Sequence, residues 1–288
     1  MLGTIYGAGH SVRFEMGDGY KERLGRYISD VEESLASGSW FTTEFAKLDK
    51  KFMPGLVGSA NLSKPGINLH YIENPTLISD KILESINIGV GSERYIVNMG
   101  DDGIHFAAFD YRLVDGKPSL LMFEPANFNF PSPVLLAFRV NSALEKIDSQ
   151  DVKFSMLEMN IQKSSNECGI FSLALAKKLH KESDSVSELH RMNVAGNIPS
   201  AYDSFSSSAE SDKLIPPSLY KHAQGRGRLA MYLESNRGSE SVKVNKKGET
   251  LLDRQVQHLE EIEGKDVVNS IHQKRLVELN KLMGIIGD

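Results

Sequence analysis

Residues 160–180 read NIQKSSNECGIFSLALAKKLH, and the fold turns on them. Just before, Val152, Phe154 and Met156 on one alternating face and Leu157, Met159 and Ile161 on the other give the pattern of a strand buried on both sides, expected to end at Gln162. Downstream, Ile170, Phe171, Ala174, Leu175 and Leu179 recur at helical spacing, and Lys177, Lys178 and Lys181 fall in the last turns, where cations suit the helix dipole. Cys168, the only cysteine in the chain, therefore sits at a helix N-terminus. The unsatisfied N–H groups of a first turn favour an anion, so a nucleophilic thiolate is one reading of this residue. A small buried apolar side chain is the other.

A nucleophile needs a base, and of eight histidines His105 stands out. It lies in a strand-like run, GIHFAAFDYRLV, that meets a turn signal at Asp115-Gly116 and continues into SLLMFEP, a β-hairpin pattern. With Asp115-Gly116 as the two-residue loop, Val114 pairs with Lys117 and, counting back, Ala107 pairs with Glu124. His105 and Glu124 then share a face as diagonal neighbours, about 7 to 8 Å apart at the backbone. A slip of one residue would separate them. Singly, a hydrogen-bonded core histidine and a solvated carboxylate stay open for these two positions. Together with Cys168 they read as a base, an orienting carboxylate and a nucleophile.

These residues resemble a known family. The order His105, Glu124, Cys168, with QKSSNECGIFSLALAKKL around the thiol, the hairpin segment NMGDDGIHFAAFDYR and the following LLMFEPA, is similar to the YopJ family of type III secreted effectors. The segments ISDVEESLASGSWFTTEFAKLDKKFMPGLVGSAN, SLYKHAQGRGRL and VNKKGETL resemble it too, so the likeness runs from about Gly19 to near the C-terminus. The resemblance implies a fold like that of clan CE cysteine proteases, carrying an acetyltransferase that modifies serine, threonine and lysine of host proteins. MAP kinase kinases are the recurrent partners it implies, acetyl-CoA the donor and inositol hexakisphosphate the activator. Secretion by a bacterial type III system and action in the host cytoplasm follow from the same likeness. Glu124 is given the task of fixing the His105 tautomer. Gln162, six residues before the thiol, stands where clan CE proteases carry an oxyanion-hole side chain, with the Cys168 backbone N–H as the second donor. Two other classes use the same features: a cysteine protease acting on ubiquitin-like conjugates, and a scaffold that binds kinases without chemistry.

With 288 residues, 40% hydrophobic and 25% charged, and a net charge of −5, the chain has a globular composition and enough length for a full core. A single cysteine excludes an intrachain disulfide framework, which suits a reducing cytosol. No apolar run approaches the roughly 18 residues of a membrane span. The opening MLGTIYGAGHSVRFEMGDG lacks the basic-then-apolar order of a Sec-type signal, and residues 1–16 are expected to be a variable or disordered leader.

Tyr20, Leu24, Tyr27, Ile28, Val31 and Leu35 define an amphipathic helix stopped by Gly38. A second helix is expected from Thr42 to Met53, ended by Pro54, with Trp40 a core anchor in the joint. Strands INLHYI and RYIVNM flank a helical LISDKILESINIG. Glu182 to Ser218, rich in serine and acidic residues, reads as a surface connection. The C-terminal third reads as helical in LLDRQVQHLEEIE and VVNSIHQKRLVELNKLMG, where Val268, Ile271, Leu279 and Leu282 form one stripe.

Basic residues gather in that last third: Lys221, His222, Arg226 and Arg228, then Lys243, Lys246 and Lys247, then Lys274 and Arg275. No nucleic-acid motif accompanies them. The resemblance places the inositol hexakisphosphate site in this lobe, with Lys221, His222, Arg226, Arg228, Lys246 and Lys247 as candidate contacts, chemically suited to phosphate. SLYKHAQ resembles the family segment that holds an autoacetylated lysine, which makes Lys221 the leading candidate. The expected architecture is α+β: a papain-like, clan CE mixed sheet-and-helix catalytic core over residues 68–182, and a helical regulatory lobe formed from 17–67 and 213–288. Residues 183–212 are expected to be a mobile connection between them.

Overall fold

The structure, a computed structural model, describes residues 2–7, 10–15, 18–147, 152–164, 166–200, 204–262 and 264–287. Its centre is the hairpin of β5 (Phe106–Val114) and β6 (Lys117–Glu124). Asp115 and Gly116 between them have φ of 49° and 80°, the double left-handed turn that matches strand twist. The register runs from Val114 opposite Lys117 to Ala108 opposite Phe123, as the turn signal requires.

Four more strands complete a six-stranded sheet in the order β3-β4-β5-β6-β7-β8, with β3 at Leu69–Ile72, β4 at Ser92–Asn98, β7 at Lys153–Glu158 and β8 at Phe205–Ser206. The three strands β4, β5 and β6 are antiparallel neighbours, whereas β3, β7 and β8 join in parallel. Alternate residues feed two cores. On one face Tyr95, Val97, Phe109, Tyr111 and Met122 pack beneath α3 (Ile78–Ile88) and α4 (Pro131–Leu144). On the other, Ile96, Phe106, Ala108, Leu121 and Phe123 meet α5 (Cys168–Lys181).

Helix α5 is buried at every position from Cys168 to Leu179, because the sheet covers one side and further helices cover the other. Those are α1 (Tyr20–Ser37), α2 (Ala46–Ser63) and α10 (Ser270–Gly287), so the first and last helices of the chain pack together over the central one. Close approach depends on glycine. A Cβ on Gly55 would lie 2.5 Å from Tyr20 Oη and 3.0 Å from Leu282 Cδ2. Asp49 is buried between these helices, bonded to Tyr27 Oη at 2.7 Å and to Arg275 Nη2 at 2.9 Å. Trp40 is buried as expected, its ring 4.6 Å from His272 and its Nε1 donating to Glu260 Oε2 at 2.9 Å.

Five expectations are corrected. Helix α2 begins at Ala46 rather than Thr42 and runs through Pro54. A proline there forfeits one backbone bond, but burial of Met53, Leu56, Val57 and Ala60 outweighs the loss. Strand β7 stops at Glu158, not Gln162, because Asn160 turns left-handed with φ of 50° and leaves the ladder. Residues 183–212 are not a mere connection: among the described residues they form α6 (Ser183–Val194), β8 and α7 (Ser208–Asp212). Val186, Leu189, His190 and Asn193 are buried at helical spacing, and His190 bonds Asp110 at 2.9 Å and Ser119 at 2.7 Å inside the sheet. The segment LEEI, residues 259–262, is not helical: α9 (Leu251–Gln257) ends first, and β9 (Leu259–Ile262) pairs antiparallel with β10 (Lys265–Val268), with Gly264 at φ of 72° before β10; Glu263 lies outside the described residues. Finally, the leader over 1–16 contains an antiparallel ladder of β1 (Leu2–Gly7) and β2 (His10–Glu15); its residues 1, 8, 9 and 16 lie outside the described residues.

Candidate active site

Three chain segments meet where β5, β6 and α5 end or begin. His105 directly precedes β5, and its carbonyl is fixed by the Met99 N–H and the Asn98 Nδ2, both at 3.0 Å. Glu124 closes β6 and is wholly buried; its Oε1 accepts the Ala126 N–H at 2.8 Å and its Oε2 lies 2.9 Å from His105 Nε2. With Nε2 committed to Glu124, Nδ1 is the ring nitrogen left over, and Cys168 lies near enough to the ring to favour its charge. The thiol also bonds the Ile104 carbonyl at 3.1 Å. Burial opposes a charge on His105, but the Glu124 carboxylate and the hydrogen bonds to Cys168 and Glu124 outweigh it, and the imidazole pKa is pushed up to about 10. The arrangement thus favours imidazolium beside the sulfur.

Cys168 is the first residue of α5, and the N-cap residue Glu167 makes no side-chain bond to the first turn. Its neighbour must be small, since a Cβ on Gly169 would lie 3.2 Å from both Asp49 Cβ and Met53 Cε on α2. Burial pushes the Glu167 carboxyl up to about 7. It faces His272 Nε2 at 3.4 Å, and burial together with Arg275 keeps that imidazole well below its ordinary value.

His105 and Cys168 line a cleft of about 440 Å³ together with Ala126, Phe130, Gln162, Lys163 and Asn166 among others. Phe130 at the first turn of α4 is 60% exposed, and Val134 and Phe138 continue the apolar strip outward along that helix. A larger hollow, about 580 Å³ around Gly91 and Arg112, is far from this chemistry and contains none of its residues. Gln162 is buried in the cleft wall, its N–H bonded to the Pro125 carbonyl at 2.9 Å and its Nε2 to the Ser164 carbonyl at 2.6 Å. It lies past the strand rather than at its end.

The basic candidates separate into two groups. Lys221 is half-buried, and its pKa is pushed down to about 7 by burial and by Lys274, Lys178, Arg254 and Lys181 around it. His222 is buried in the same field, with Nδ1 bonded to Ser270 Oγ at 3.0 Å and Nε2 unpartnered among the described residues. Lys246 and Lys247 are exposed nearby, coupled to Lys64 and His258 respectively. Arg226, also exposed, pairs with Asp266 at 2.9 Å. Arg228 is a correction: it is buried, with three of its five N–H donors taken by Asp212, through both terminal nitrogens, and by the Met159 carbonyl at 2.8 Å, so its charge is already paired inside the protein rather than presented to a phosphate. Arg275 is likewise occupied by Asp49. Sequence reasoning missed Lys178, Lys181 and Arg254 as members of the cluster, reading the two lysines only as helix-end cations.

A cysteine at a helix start, beside an imidazole gripped by a buried carboxylate, in an open cleft, is equipment for thiol-based acyl transfer. Consistent with that class, the YopJ serine/threonine acetyltransferase model matches residues 24–281, and the chain belongs to this family. Serine/threonine-protein acetyltransferase YopJ of Yersinia pestis is 41% identical over 269 residues, covering 92% of this chain and 91% of its own. A leucine-deletion form of AvrA, solved with IP6 and CoA, is 38% identical and superposes with a TM-score of 0.86 over 93% of this chain and 99% of that one. HopZ1a in complex with IP6 and CoA shares the fold at 20% identity, with a TM-score of 0.73 over 91% of this chain and 98% of that one.

Proposed function

We propose that the chain moves acetyl groups from acetyl-CoA, through a thioester on Cys168, to serine, threonine and lysine side chains of host signalling proteins, MAP kinase kinases among them. Delivery is by a bacterial type III system and action is in the host cytoplasm. The observation that carries this reading is the His105 ring, held by Glu124 at 2.9 Å through Nε2, in the same cleft as Cys168. In the first half-reaction the thiolate attacks the acetyl carbonyl, the carbon–sulfur bond to coenzyme A breaks, and coenzyme A leaves with the proton from His105. In the second, His105 takes the proton of the acceptor hydroxyl or amine, which attacks the thioester and frees the Cys168 sulfur. The second N–H of Gln162 Nε2, whose first holds the Ser164 carbonyl, and the Cys168 backbone N–H serve as oxyanion donors.

Inositol hexakisphosphate is the activator in this reading, bound by Lys221, His222, Lys246, Lys247 and the surrounding Lys178, Lys181, Lys274 and Arg254, with Arg226 at the edge. A half-buried lysine whose pKa is pushed down to about 7 by burial and by like charges, close to a buried imidazole nitrogen without a partner among the described residues, is a place that gains from an added polyanion. Purified protein with radiolabelled acetyl-CoA should label Cys168 and then a kinase acceptor, faster with inositol hexakisphosphate. Cleavage of a ubiquitin-like fusion without acetyl labelling would replace this reading with a protease. Full cellular effect from a Cys168→Ala chain would replace it with a scaffold.

A further inference from the structure

We propose that Gln224 is a positioning residue that ties the Cys168 loop to the cation cluster, so that occupancy of the cluster sets the geometry of the oxyanion donors. This rests on the polyanion reading given above. Residues 162–167 are the last part of the link between β7, which ends at Glu158, and α5. Apart from the Gln162 bond to Pro125 and short-range bonds from Lys163 Nζ to Asn160 Oδ1 at 2.7 Å and from the Phe171 N–H to the Glu167 carbonyl at 2.9 Å, its anchors among the described residues come from the C-terminal part of the chain. Gln224 Oε1 accepts the backbone N–H of Lys163 at 2.6 Å and of Ser164 at 3.2 Å, and Gln224 Nε2 bonds the Ser164 hydroxyl at 3.2 Å. Its own N–H donates to the Ile161 carbonyl at 2.9 Å, and the residue is 7% exposed. Arg275 adds one bond to the Asn166 carbonyl at 3.3 Å.

Ser164 then passes the constraint inward, because its carbonyl is what holds the Gln162 amide in the cleft wall at 2.6 Å. In the other direction, Gln224 directly follows the tight turn of residues 220–223 that contains Lys221, closed by the Ala223 N–H on the Tyr220 carbonyl at 2.9 Å. The Lys221 carbonyl is itself held by Arg254 Nε at 3.3 Å. Phosphates drawn to Lys221 and Arg254 therefore fix the same turn that presents Gln224. One side chain, buried and outside the cleft, thus spans the interval between a charged surface and the groups that would meet the reacting carbonyl.

Gln224→Met keeps the length and apolar stem of the side chain and removes the acceptor; Gln224→Ala removes both. Calorimetry with inositol hexakisphosphate, steady-state acetyl transfer with and without it, and thermal unfolding are measured for each full-length chain. In Gln224→Met, inositol hexakisphosphate affinity should hold within about twofold and the KM for acetyl-CoA likewise, while activated kcat falls on the order of 10-fold, the scale of one lost hydrogen bond acting in the transition state. The rate of Cys168 alkylation by iodoacetamide should lose its response to the polyanion in parallel. Full activation in Gln224→Met would overturn the proposal. So would a loss of polyanion affinity that matches the loss of rate, since the residue would then belong to the binding site. Absence of inositol hexakisphosphate binding by the wild-type chain would remove the cluster reading and this relay with it, and calorimetry shows that before any variant is compared.

Discussion

Arg228 and Asp212 are bonded through two parallel contacts in the protein interior, each side chain 2% exposed, with Tyr220 Oη on the same carboxylate at 2.7 Å. A charged pair this deep is held by its geometry, and losing one partner strands the other. Arg228→Ala should therefore lower unfolding free energy by about 3 to 5 kcal/mol. The same substitution should leave inositol hexakisphosphate affinity, corrected for the folded fraction, nearly unchanged. Denaturant titration and calorimetry on one preparation separate the two effects.

Cys168→Ala and His105→Ala should each abolish acetyl transfer while the protein stays folded. Because both side chains serve one proton-transfer unit, the double variant should be no slower than either single one. Glu124→Gln keeps a neutral acceptor near His105 and should retain more activity than His105→Ala. Acetylation rates of a kinase substrate, with circular dichroism as the folding control, decide the ranking.

The His105 pKa, pushed up to about 10 chiefly against its burial by Glu124, has a signed consequence for stability. A raised pKa contributes stability that is complete below the ordinary value of 6.5 and is lost as pH rises through about 10. Urea stability should decline over that alkaline window in the wild type and decline less in Glu124→Gln. A wild-type curve flat from pH 6.5 to 10 would count against the charged imidazole.

An acid limb has a different owner. Glu278 is 1% exposed at its side chain and faces Lys177 at 2.7 Å, with Lys274 and Lys281 beside it. Burial works against its charge, but the lysines prevail and hold the carboxyl down to about 2, from 4.5. Lys177 moves the other way from a simple ion-pair expectation, down to about 8, because its burial and two like charges oppose one carboxylate. The carboxyl is the better reporter, since several cations face it. Its stabilisation is present above pH 4.5 and lost as pH falls through about 2, so Glu278→Gln should flatten that decline in stability while lowering stability at neutral pH.

Lys221, pushed down to about 7, should gain a proton when phosphates arrive. Inositol hexakisphosphate binding at pH 8 should take up protons, detected as a dependence of the calorimetric heat on the buffer's ionisation enthalpy. The uptake should shrink at pH 6, where Lys221 is already charged, and vanish in Lys221→Gln.

The sequence disclosed the features that depend on local rules. The Asp115-Gly116 turn set the register that brings His105 to Glu124, and strand–loop–helix periodicity put Cys168 at the start of α5. It concealed features that depend on distant partners. Nothing local distinguishes Arg228, locked to Asp212, from Lys221, left among like charges, because both are cations in one polar stretch. The α6 spacing of Val186, Leu189, His190 and Asn193 was present, but two of those four positions are polar and become core only because Asp110, Ser119 and Ser155 wait inside the sheet. Pro54 misled for the opposite reason: a local breaker was overruled by packing on both sides.

The bond between Asp49 on α2 and Arg275 on α10 joins positions 226 residues apart. Polypeptides are made from the N-terminus, so a growing chain carries the buried carboxylate long before it carries the guanidinium that neutralises it. Until α10 has emerged, Asp49 has Tyr27 Oη as a partner but no guanidinium opposite it, so closing α2 over Gly169 and the start of α5 would strand a carboxylate without its cation. Completion of the surroundings of Cys168 is thereby deferred to the final stretch of synthesis, and a nascent chain stalled before Arg275 holds His105, Glu124 and Cys168 without the ion pair that ties α2 to α10.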